Sequence, residues 1–185
     1  KTLIGFDTGP GNGLMDKFMK KKFNQYFDQN GNIASKGIPN QKIVTEFMEH
    51  HYFKQSPPKS LDRNSFLDMY NKLLRTNLNN QDIMATLADF TIHSIYTALH
   101  FVPGNIKNMI ISGGGHKNSF LVERLKKKLN IKFLFEDELS IDCDYIESEL
   151  IAYLSARSLY NLPFTFPSTT GVSKASSGGK IYNYL

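Results

Sequence analysis

An aspartate inside a glycine-rich stretch is the residue of this chain best placed to do chemistry. Asp7 follows the apolar residues 3–6 and comes directly before Thr-Gly-Pro-Gly-Asn at positions 8–12. Backbone N–H groups of a glycine turn and the N-terminus of a following helix can bind phosphate oxygens, and a carboxylate can take a proton from an attacking hydroxyl. The pattern indicates phosphate chemistry with Asp7 as the base. An ordinary strand–turn–helix corner, with Asp7 as a cap, fits the spacing equally well.

The elements that must position this aspartate are predicted from apolar periodicity. Residues 3–6 predict a strand, and a helix is expected after the turn because apolar residues recur there at three- and four-residue steps: Leu14, Met15, Phe18, Met19, Phe23, Tyr26 and Phe27. A second glycine run, 113–115, follows a predicted strand over 108–112 and precedes a helix that Asn118 or Ser119 can cap. Ligands of α/β sheets bind at the carboxyl ends of strands, so we expect both turns at one edge of one sheet.

The remaining segments complete an α/β pattern. Polar residues 29–42 predict a loop or short hairpin. Apolar spacing predicts helices over 43–53, 64–75, 81–99 and 145–160 and a strand over 131–135. The last of these helices is expected to bury Ile146, Leu150, Ile151 and Leu154. The order of strands and helices indicates an α/β domain with a partly parallel sheet.

Other side chains suggest weaker sites. We interpret His116 as a loop residue rather than a catalytic base, and the chain's histidines lack metal-ligand spacing. Lys59 and Arg63 flank a rigid Pro-Pro turn, where they either clamp an anion or are solvated. The carboxylates at 142, 144, 147 and 149 either complement a helix dipole or include one, Glu147, that reaches substrate hydroxyls or a magnesium-bound water.

Composition limits the class of protein. The 185 residues are 41% hydrophobic and 21% charged, which indicates a globular protein with a real core. The lone Cys143 excludes an internal disulfide and fits the cytoplasm, where we interpret it as an incidental thiol. The net charge of +5 comes mostly from lysines 20–22 and 126–128 on predicted helix faces. We expect no nucleic-acid partner, since no recognition motif accompanies these lysines, and no membrane partner, since no long apolar run exists.

Taken together, the motifs resemble those of the anhydro-N-acetylmuramic acid kinases of bacterial cell-wall recycling, within the acetate and sugar kinase, Hsp70 and actin superfamily. The matching stretches occur in family order over nearly the whole chain: residues 5–12 with 14–16, 57–60 with Arg63, 85–91 with Ser94 and Ile95, 112–115 with Asn118, 147–157, and 162–163 with Pro167 and 169–171. The first stretch is highly specific, whereas the triple glycine is shared by many kinases of the superfamily.

The resemblance implies an actin-like ATPase (ribonuclease H-like) lobe, with a mixed sheet and flanking helices. It also implies a reaction that depends on ATP and Mg²⁺. Water opens the 1,6-anhydro bridge of anhydro-N-acetylmuramic acid, and O6 takes the γ-phosphoryl group to give N-acetylmuramic acid 6-phosphate.

The same resemblance implies roles for individual residues. Asp7 matches the general base that activates the water, and Glu147 matches a glutamate near the sugar. The turn residues near the transferring phosphate and the sugar are Thr8, Gly9, Pro10, Gly11 and Asn12. The nucleotide-side turn is formed by Gly113, Gly114 and Gly115.

Two departures from the family pattern shape the expectation. Ser148 stands where the family usually has alanine, with little consequence. The family's first half, with its Gly-Thr-Ser-x-Asp-Gly phosphate loop, is absent, and the chain starts at Lys1. We therefore expect residues 1–185 to be the C-terminal portion of a two-lobed kinase without its N-terminal lobe. A helical segment is expected at about 43–101 and a nucleotide-side strand–turn–helix at about 107–160.

The missing lobe also bears on activity and partners. The expected ligands are ATP and the anhydro-amino-sugar, and we expect little turnover from the chain alone because the phosphate loop is missing. A separate N-terminal half and a second copy of the chain are two alternatives for covering its apolar helix faces. A non-catalytic sugar- or nucleotide-binding module derived from such a kinase is the alternative function.

Overall fold

The computed structural model describes residues 3–62, 64–139, 142 and 145–182. Its main body is a helical cluster around the long helix α4 (Asn80–Ala98). This helix packs against α1 (Gly13–Phe23), α2 (Gln41–Met48) and α5 (Ser119–Leu129). The short α3 (Leu67–Leu73) adds Tyr70 and Leu73 to the same core. The sequence interpretations of Arg63, Cys143 and Asp144 concern residues outside the described ranges.

Helix α4 confirms the helix predicted over 81–99 and forms the centre of the core. It begins at the N-cap Asn79, whose side chain accepts a hydrogen bond from the Asp82 N–H at 2.8 Å. Its buried side chains include large apolar ones such as Phe90, but also four polar ones: Thr86, Asp89, Thr91 and Ser94. Buried polar groups need hydrogen-bond partners. Thr91 donates to the glycine turn of the candidate site, whereas Ser94 donates to Thr91 O within the helix.

Asparagines set the ends of several helices. The Asn40 side chain caps α2 by accepting from the Ile43 N–H at 3.1 Å, and Asn118 caps α5 in the same way through the Leu121 N–H. Asn24 and Asn130 end α1 and α5 in the left-handed conformation, which asparagine tolerates better than most residues. The lysine runs 20–22 and 126–128 are exposed in the last turns of these two helices, where they complement the helix dipole.

A small parallel sheet lies at one side of this core. Strands β1 (Asn108–Ile110) and β2 (Lys132–Leu134) pair in parallel with Met109 opposite Phe133, and α5 makes the crossover between them. Phe133 is buried and Met109 packs on the core, whereas Ile110 is 50% exposed. The α/β class is confirmed, and the sheet of the described residues is purely parallel. The actin-like assignment and the mixed sheet stay predictions.

The strand predicted over residues 3–6 is wrong. This segment is extended, but its hydrogen bonds go to irregular neighbours rather than to a strand: the Gly5 N–H donates to Ser168 O and the Asp7 N–H to Lys59 O. Single bonds to separate segments cannot make a ladder. The glycine turn after Phe6 therefore does not follow a sheet strand, and only the 113–115 turn does.

The segment after α1 also differs from expectation. The helix ends at Phe23, so Tyr26 and Phe27 lie beyond it and are 77% and 57% exposed. Instead of a hairpin, residues 29–42 contain two 3₁₀ turns. The buried Asp28 carboxylate explains them, because it accepts hydrogen bonds from the N–H groups of Ile33 and Ala34 at 2.9 Å.

The two predicted helices over 43–53 and 64–75 exist but are shorter. Helix α2 stops at Met48 and is followed by a separate 3₁₀ turn, His51–Lys54. The His50 ring nitrogen Nδ1 accepts from the Tyr52 N–H at 3.3 Å and starts that turn. This break lets Tyr52 and Phe53 turn into the core.

The C-terminal part contains α6 (Glu136–Leu139), α7 (Ile146–Leu159) and α8 (Pro167–Thr170). The prediction that α7 buries one apolar face is wrong: the helix has no buried residue, and Leu150 and Ile151 are 51% and 63% exposed. Arg157 and Ser158 of this helix donate to Pro163 O and Gly178 O of the tail that follows it, and none of its residues belongs to the buried core. The described helices include none with the length and apolar character required to span a membrane.

Candidate active site

Asp7 is held at the protein surface by residues from a distant part of the chain. Its backbone N–H donates to Lys59 O at 3.2 Å, and its side-chain Oδ2 accepts from the Leu61 N–H at 2.7 Å. The Tyr52 hydroxyl donates to Asp7 O at 2.6 Å. The backbone of Asp7 is thus fixed on two sides while its carboxylate stays exposed.

Tyr52 and Lys59 stabilise this arrangement together. The Lys59 ammonium donates to Tyr52 O at 3.0 Å and lies over the rings of Phe101 and Tyr52, at 4.3 and 4.6 Å from their centroids. Burial lowers the pKa of Lys59. Burial, and then the negative charge of Asp7, raise the pKa of the Tyr52 hydroxyl to about 12. Lys59 therefore packs as part of the support behind Asp7 and does not form the exposed anion clamp considered above.

The glycine turn after Asp7 rests on helix α4. Thr91 Oγ1 donates to Gly11 O at 2.7 Å, and Gly11 has a φ of +54°. A Cβ atom on Gly9 would lie 2.6 Å from Ser94 Cβ and closer still to Ser94 Oγ. Glycine is therefore required at position 9 by close packing and at position 11 by backbone conformation. Thr8 lies half-buried in the same turn.

Asp7 opens onto a cavity of about 630 Å³. Two acidic side chains, a lysine and an asparagine face it together with apolar groups and turn backbone. Its lining residues are Asp7, Gly9, Pro10, Gly13, Leu14, Lys17, Leu61, Asp62, Asn64 and Phe66. The volume and this mixture of groups suit a small polar ligand such as a sugar.

The triple glycine meets the first turn at Asn12. Gly113 has a φ of +70° and leads into a 3₁₀ turn, Gly114–Lys117. A Cβ atom on Gly115 would lie 3.5 Å from Asn12 Nδ2, in ordinary contact. The sequence expectation that the two glycine turns come together is thus supported, although they do not share a sheet edge.

A second cavity, of about 360 Å³, lies where the two turns meet. It shares the start of α1 with the first cavity and is closed by the 3₁₀ turn that follows Asp28. Its lining residues are Asn12, Met15, Asp16, Phe27, Asp28, Gln29, Asn30, Gly114, Lys117 and Asn118. Burial raises the pKa of Asp16 on this wall. The Asp7 cavity and the triple-glycine cavity therefore lie on two sides of one helix N-terminus.

The remaining predicted residues stand apart from this pair of cavities. Glu147 is exposed in the first turn of α7, and its place near the sugar stays a prediction. The His116 ring nitrogen Nδ1 lies 2.6 Å from Gly113 O, within its own turn, which agrees with a loop role. Among the described residues, no three His, Cys, Asp or Glu side chains come together as metal ligands.

Sequence reasoning assigned no role to four supporting residues, although Thr91 and Ser94 lie in a stretch that matches the family pattern. Tyr52, Leu61, Thr91 and Ser94 all contact residues 7–11 from at least 45 positions away in sequence. Polar residues on the otherwise apolar pattern of α4 were the available signal for Thr91 and Ser94. Tyr52 and Leu61 gave none, because an isolated tyrosine and a backbone N–H have no characteristic spacing.

Comparison with known proteins identifies the family to which the chain is similar. A family described as anhydro-N-acetylmuramic acid kinase matches residues 1–184. Among similar curated proteins is the anhydro-N-acetylmuramic acid kinase of Methylobacterium nodulans, 38% identical over 177 residues, which are 96% of this chain and 46% of that protein. The enzyme of the same name from Zymomonas mobilis is 37% identical, over 97% of this chain and 48% of its own length. The chain spans about half the length of the curated relatives it matches.

Proposed function

This chain belongs to the anhydro-N-acetylmuramic acid kinase family, and we propose that it supplies the catalytic base and sugar cavity of such a kinase. The reaction is the ATP-dependent hydrolysis and phosphorylation of 1,6-anhydro-N-acetylmuramic acid in peptidoglycan recycling. One observation supports it above all: the exposed Asp7 carboxylate lies on the wall of a sugar-sized cavity, beside the backbone of Gly9 and Pro10.

In the proposed reaction, Asp7 takes a proton from water while the oxygen of that water bonds to C1 of the sugar. The C1–O6 bond breaks, O6 bonds to the γ-phosphorus of ATP, and ADP leaves. The proton on Asp7 then passes to solvent. Because Asp7 Oδ2 accepts from the Leu61 N–H, we assign Oδ1 to the water; a base must lie within hydrogen-bond reach of the proton it takes.

The triple-glycine cavity is the proposed nucleotide side. Residues 8–12 and the N-terminus of α1 separate it from the Asp7 cavity, so a phosphate between the two would meet the N–H groups of the turn residues other than Pro10. The closeness of Gly115 to Asn12 supports this placement, since a Cβ atom on Gly115 would lie 3.5 Å from Asn12 Nδ2. Phosphoryl transfer depends mainly on such positioning and on charge stabilisation.

Magnesium is proposed only as an ion that binds together with the nucleotide. The described residues contain no cluster of three metal-ligating side chains, so they do not by themselves fit a metal site. Mg²⁺ commonly uses substrate phosphates and water for most of its ligands. We therefore assign no residue to Mg²⁺ and no step to the ion.

We further propose that this chain is the C-terminal portion of a two-lobed catalytic unit and works with a complementary half. Two observations support this: the chain spans about half the length of its relatives, and α7 exposes Leu150, Ile151 and Tyr153 by more than half each. Exposed apolar patches of this kind mark interaction surfaces. A second copy of the chain is the alternative cover for the same face.

A reconstitution assay tests the proposed function. The chain is mixed with the separately produced remainder of the Methylobacterium nodulans relative, and ADP release with anhydro-N-acetylmuramic acid is measured, with the sugar phosphate identified by mass spectrometry. We expect turnover by the mixture and little by either part alone. If the two parts associate and bind sugar without forming product, the catalytic proposal is overturned in favour of a binding module. Rapid turnover by this chain alone would overturn the need for a complementary half.

A further inference from the structure

We propose that Lys17 forms a carboxylate-binding subsite in the Asp7 cavity and selects an acidic amino sugar over its neutral counterpart. Lys17 lies on α1, one turn after Gly13, and lines the cavity together with Asp7. The inference rests on the proposed function, which supplies the sugar. It adds a specificity-determining residue that neither the motif stretches nor the family match assigns.

The position of the ammonium group is defined by its neighbours. Lys17 Nζ lies 5.7 Å from the ring centroid of Tyr70, which is 1% exposed and so cannot move aside. The lysine itself is exposed, so a ligand can reach it. A cation over an aromatic face is attracted by the ring, which favours a position of the ammonium at the cavity wall.

The acidic side chains of the cavity would repel an acidic ligand unless a cation lay on the same wall. Asp7 and Asp62 both lie on its wall, and two carboxylates repel a third carboxylate that enters with a ligand. Lys17 brings an opposite charge to the same wall. A muramic acid differs from glucosamine by a lactyl ether that ends in a carboxylate, so the two sugars differ in the one group that Lys17 can pair.

The rest of the wall suits the uncharged part of such a ligand. Leu14 and Phe66 are buried apolar side chains that can contact the sugar face and methyl groups. Asn64 supplies an amide that can donate to and accept from hydroxyls. The wall that Lys17 shares is therefore neither purely apolar nor purely acidic.

The alternative is that Lys17 is an ordinary solvated lysine, like Lys21 one helical turn further along α1. Lys21 is exposed in the last turn of the helix, where it complements the helix dipole. It is therefore the matched control: same residue type, same helix, and a position outside the named cavity wall.

The test measures dissociation constants of this chain by calorimetry for 1,6-anhydro-N-acetylmuramic acid and for 1,6-anhydro-N-acetylglucosamine, which lacks the lactyl acid. We expect the wild type to bind the acidic sugar about three- to tenfold more tightly, as for a partly exposed charged hydrogen bond, and added salt to reduce this preference. Lys17→Met should abolish the preference with little change for the neutral sugar. Lys17→Arg should retain most of it, and Lys21→Met all of it.

Each other outcome decides between the proposals. Equal binding of the two sugars by the wild type, or an unchanged preference in Lys17→Met, would overturn the subsite and leave the amino-sugar cavity standing. If the wild type, with native circular dichroism, binds neither sugar saturably, the sugar cavity of the proposed function is overturned together with the subsite.

Discussion

Thr91 on α4 donates a 2.7 Å hydrogen bond to the carbonyl oxygen of Gly11, although the two residues are 80 positions apart in sequence. Thr91 is 4% exposed and lies on the most extensively buried helix of the chain. The glycine turn that follows Asp7 is therefore fixed to the core of the protein. If the turn were a flexible loop, its position relative to Asp7 would vary, whereas this hydrogen bond fixes it.

Thr91→Val removes the hydroxyl and keeps the shape of the side chain. It should lower the free energy of unfolding by about 1 kcal/mol, because the Gly11 carbonyl loses its partner in a partly buried place. Urea unfolding checks this, with Thr45→Val, at an exposed position of α2, as the control that should change little. Equal stability of Thr91→Val and wild type would show that the bond does not hold the turn.

Gly9→Ala tests the contact between the turn and α4. The new methyl group would lie 2.6 Å from Ser94 Cβ, so we expect a loss of about 1–3 kcal/mol, typical of overpacking. Gly13→Ala is the matched control: a methyl group there meets nothing within 4 Å, and alanine favours a helix, so it should be neutral or stabilising.

The size of Ser94 provides the second arm of this experiment. Adding Ser94→Gly to Gly9→Ala removes the clash and should restore part of the lost stability, less about 1 kcal/mol for a glycine inside a helix. Losses in the two single variants that simply add in the double variant would refute a direct clash.

The raised pKa of the Tyr52 hydroxyl predicts a specific loss of folding stability at alkaline pH. Its hydroxyl has a pKa of about 12, against 10.0 for an ordinary tyrosine. Between pH 10 and pH 12 the folded state keeps a proton that the unfolded state has lost. The contribution of Tyr52 to the free energy of unfolding is therefore full below pH 10 and falls as the pH rises toward 12. Tyr52→Phe should therefore show a shallower fall in unfolding free energy above pH 10 than the wild type.

The control for this pH experiment is Tyr26→Phe, because Tyr26 is 77% exposed. It should keep the steep alkaline fall of the wild type. Tyrosinate absorbance of the folded protein gives an independent check, since the late ionisation of Tyr52 should be missing in Tyr52→Phe. Burial also raises the pKa of Tyr70, and that late ionisation should remain in all three proteins. Identical alkaline slopes in all three proteins would contradict the raised pKa.

Arg124→Met tests the link between α4 and α5. Arg124 donates to Oδ1 of the buried Asp89 at 2.8 Å, and Gln41 Nε2 donates to Oδ2 at 2.9 Å. Removing the cation leaves a buried carboxylate with fewer partners, and we expect a loss of about 1–2 kcal/mol because Arg124 is itself partly exposed.

The matched control is a surface ion pair between Lys72 and Glu46. Lys72 Nζ lies 3.9 Å from Glu46 Oε1, and both side chains are well exposed. Lys72→Met should change the unfolding free energy by less than about 0.5 kcal/mol. A similar change in Lys72→Met and Arg124→Met, measured by urea unfolding, would show that burial of Asp89 does not matter.

The elements that were predicted correctly are those whose position is determined by local sequence patterns. The bounds of α4 differ by one residue at each end from those expected, because its apolar period and the cap Asn79 are both local. Strands β1 and β2 and the Asn118 cap were also predicted, since glycine and polar residues border each one. The assignment of Asp7 as the base came from motif resemblance and stays a prediction.

The errors have a different physical origin. Residues 3–6 have the composition of a strand, but a strand also needs a neighbouring strand, and the partners of this segment, Ser168 and Lys59, lie outside any strand. The apolar face of α7 was expected to be buried, yet periodicity shows only that a face exists and not what covers it. Tyr52 and Thr91 were missed as supports of the site because their partners at residues 7 and 11 are far away in sequence.

The most direct test of the central claim is the turnover of Asp7→Asn in the enzyme reconstituted from this chain and its complementary half. We predict that kcat falls about 10²- to 10⁴-fold, the usual contribution of a general base, while the dissociation constant of the sugar changes little. Asp68→Asn, at an exposed position on α3, should keep wild-type turnover. Near-wild-type kcat in Asp7→Asn would contradict the assignment of Asp7 as the base.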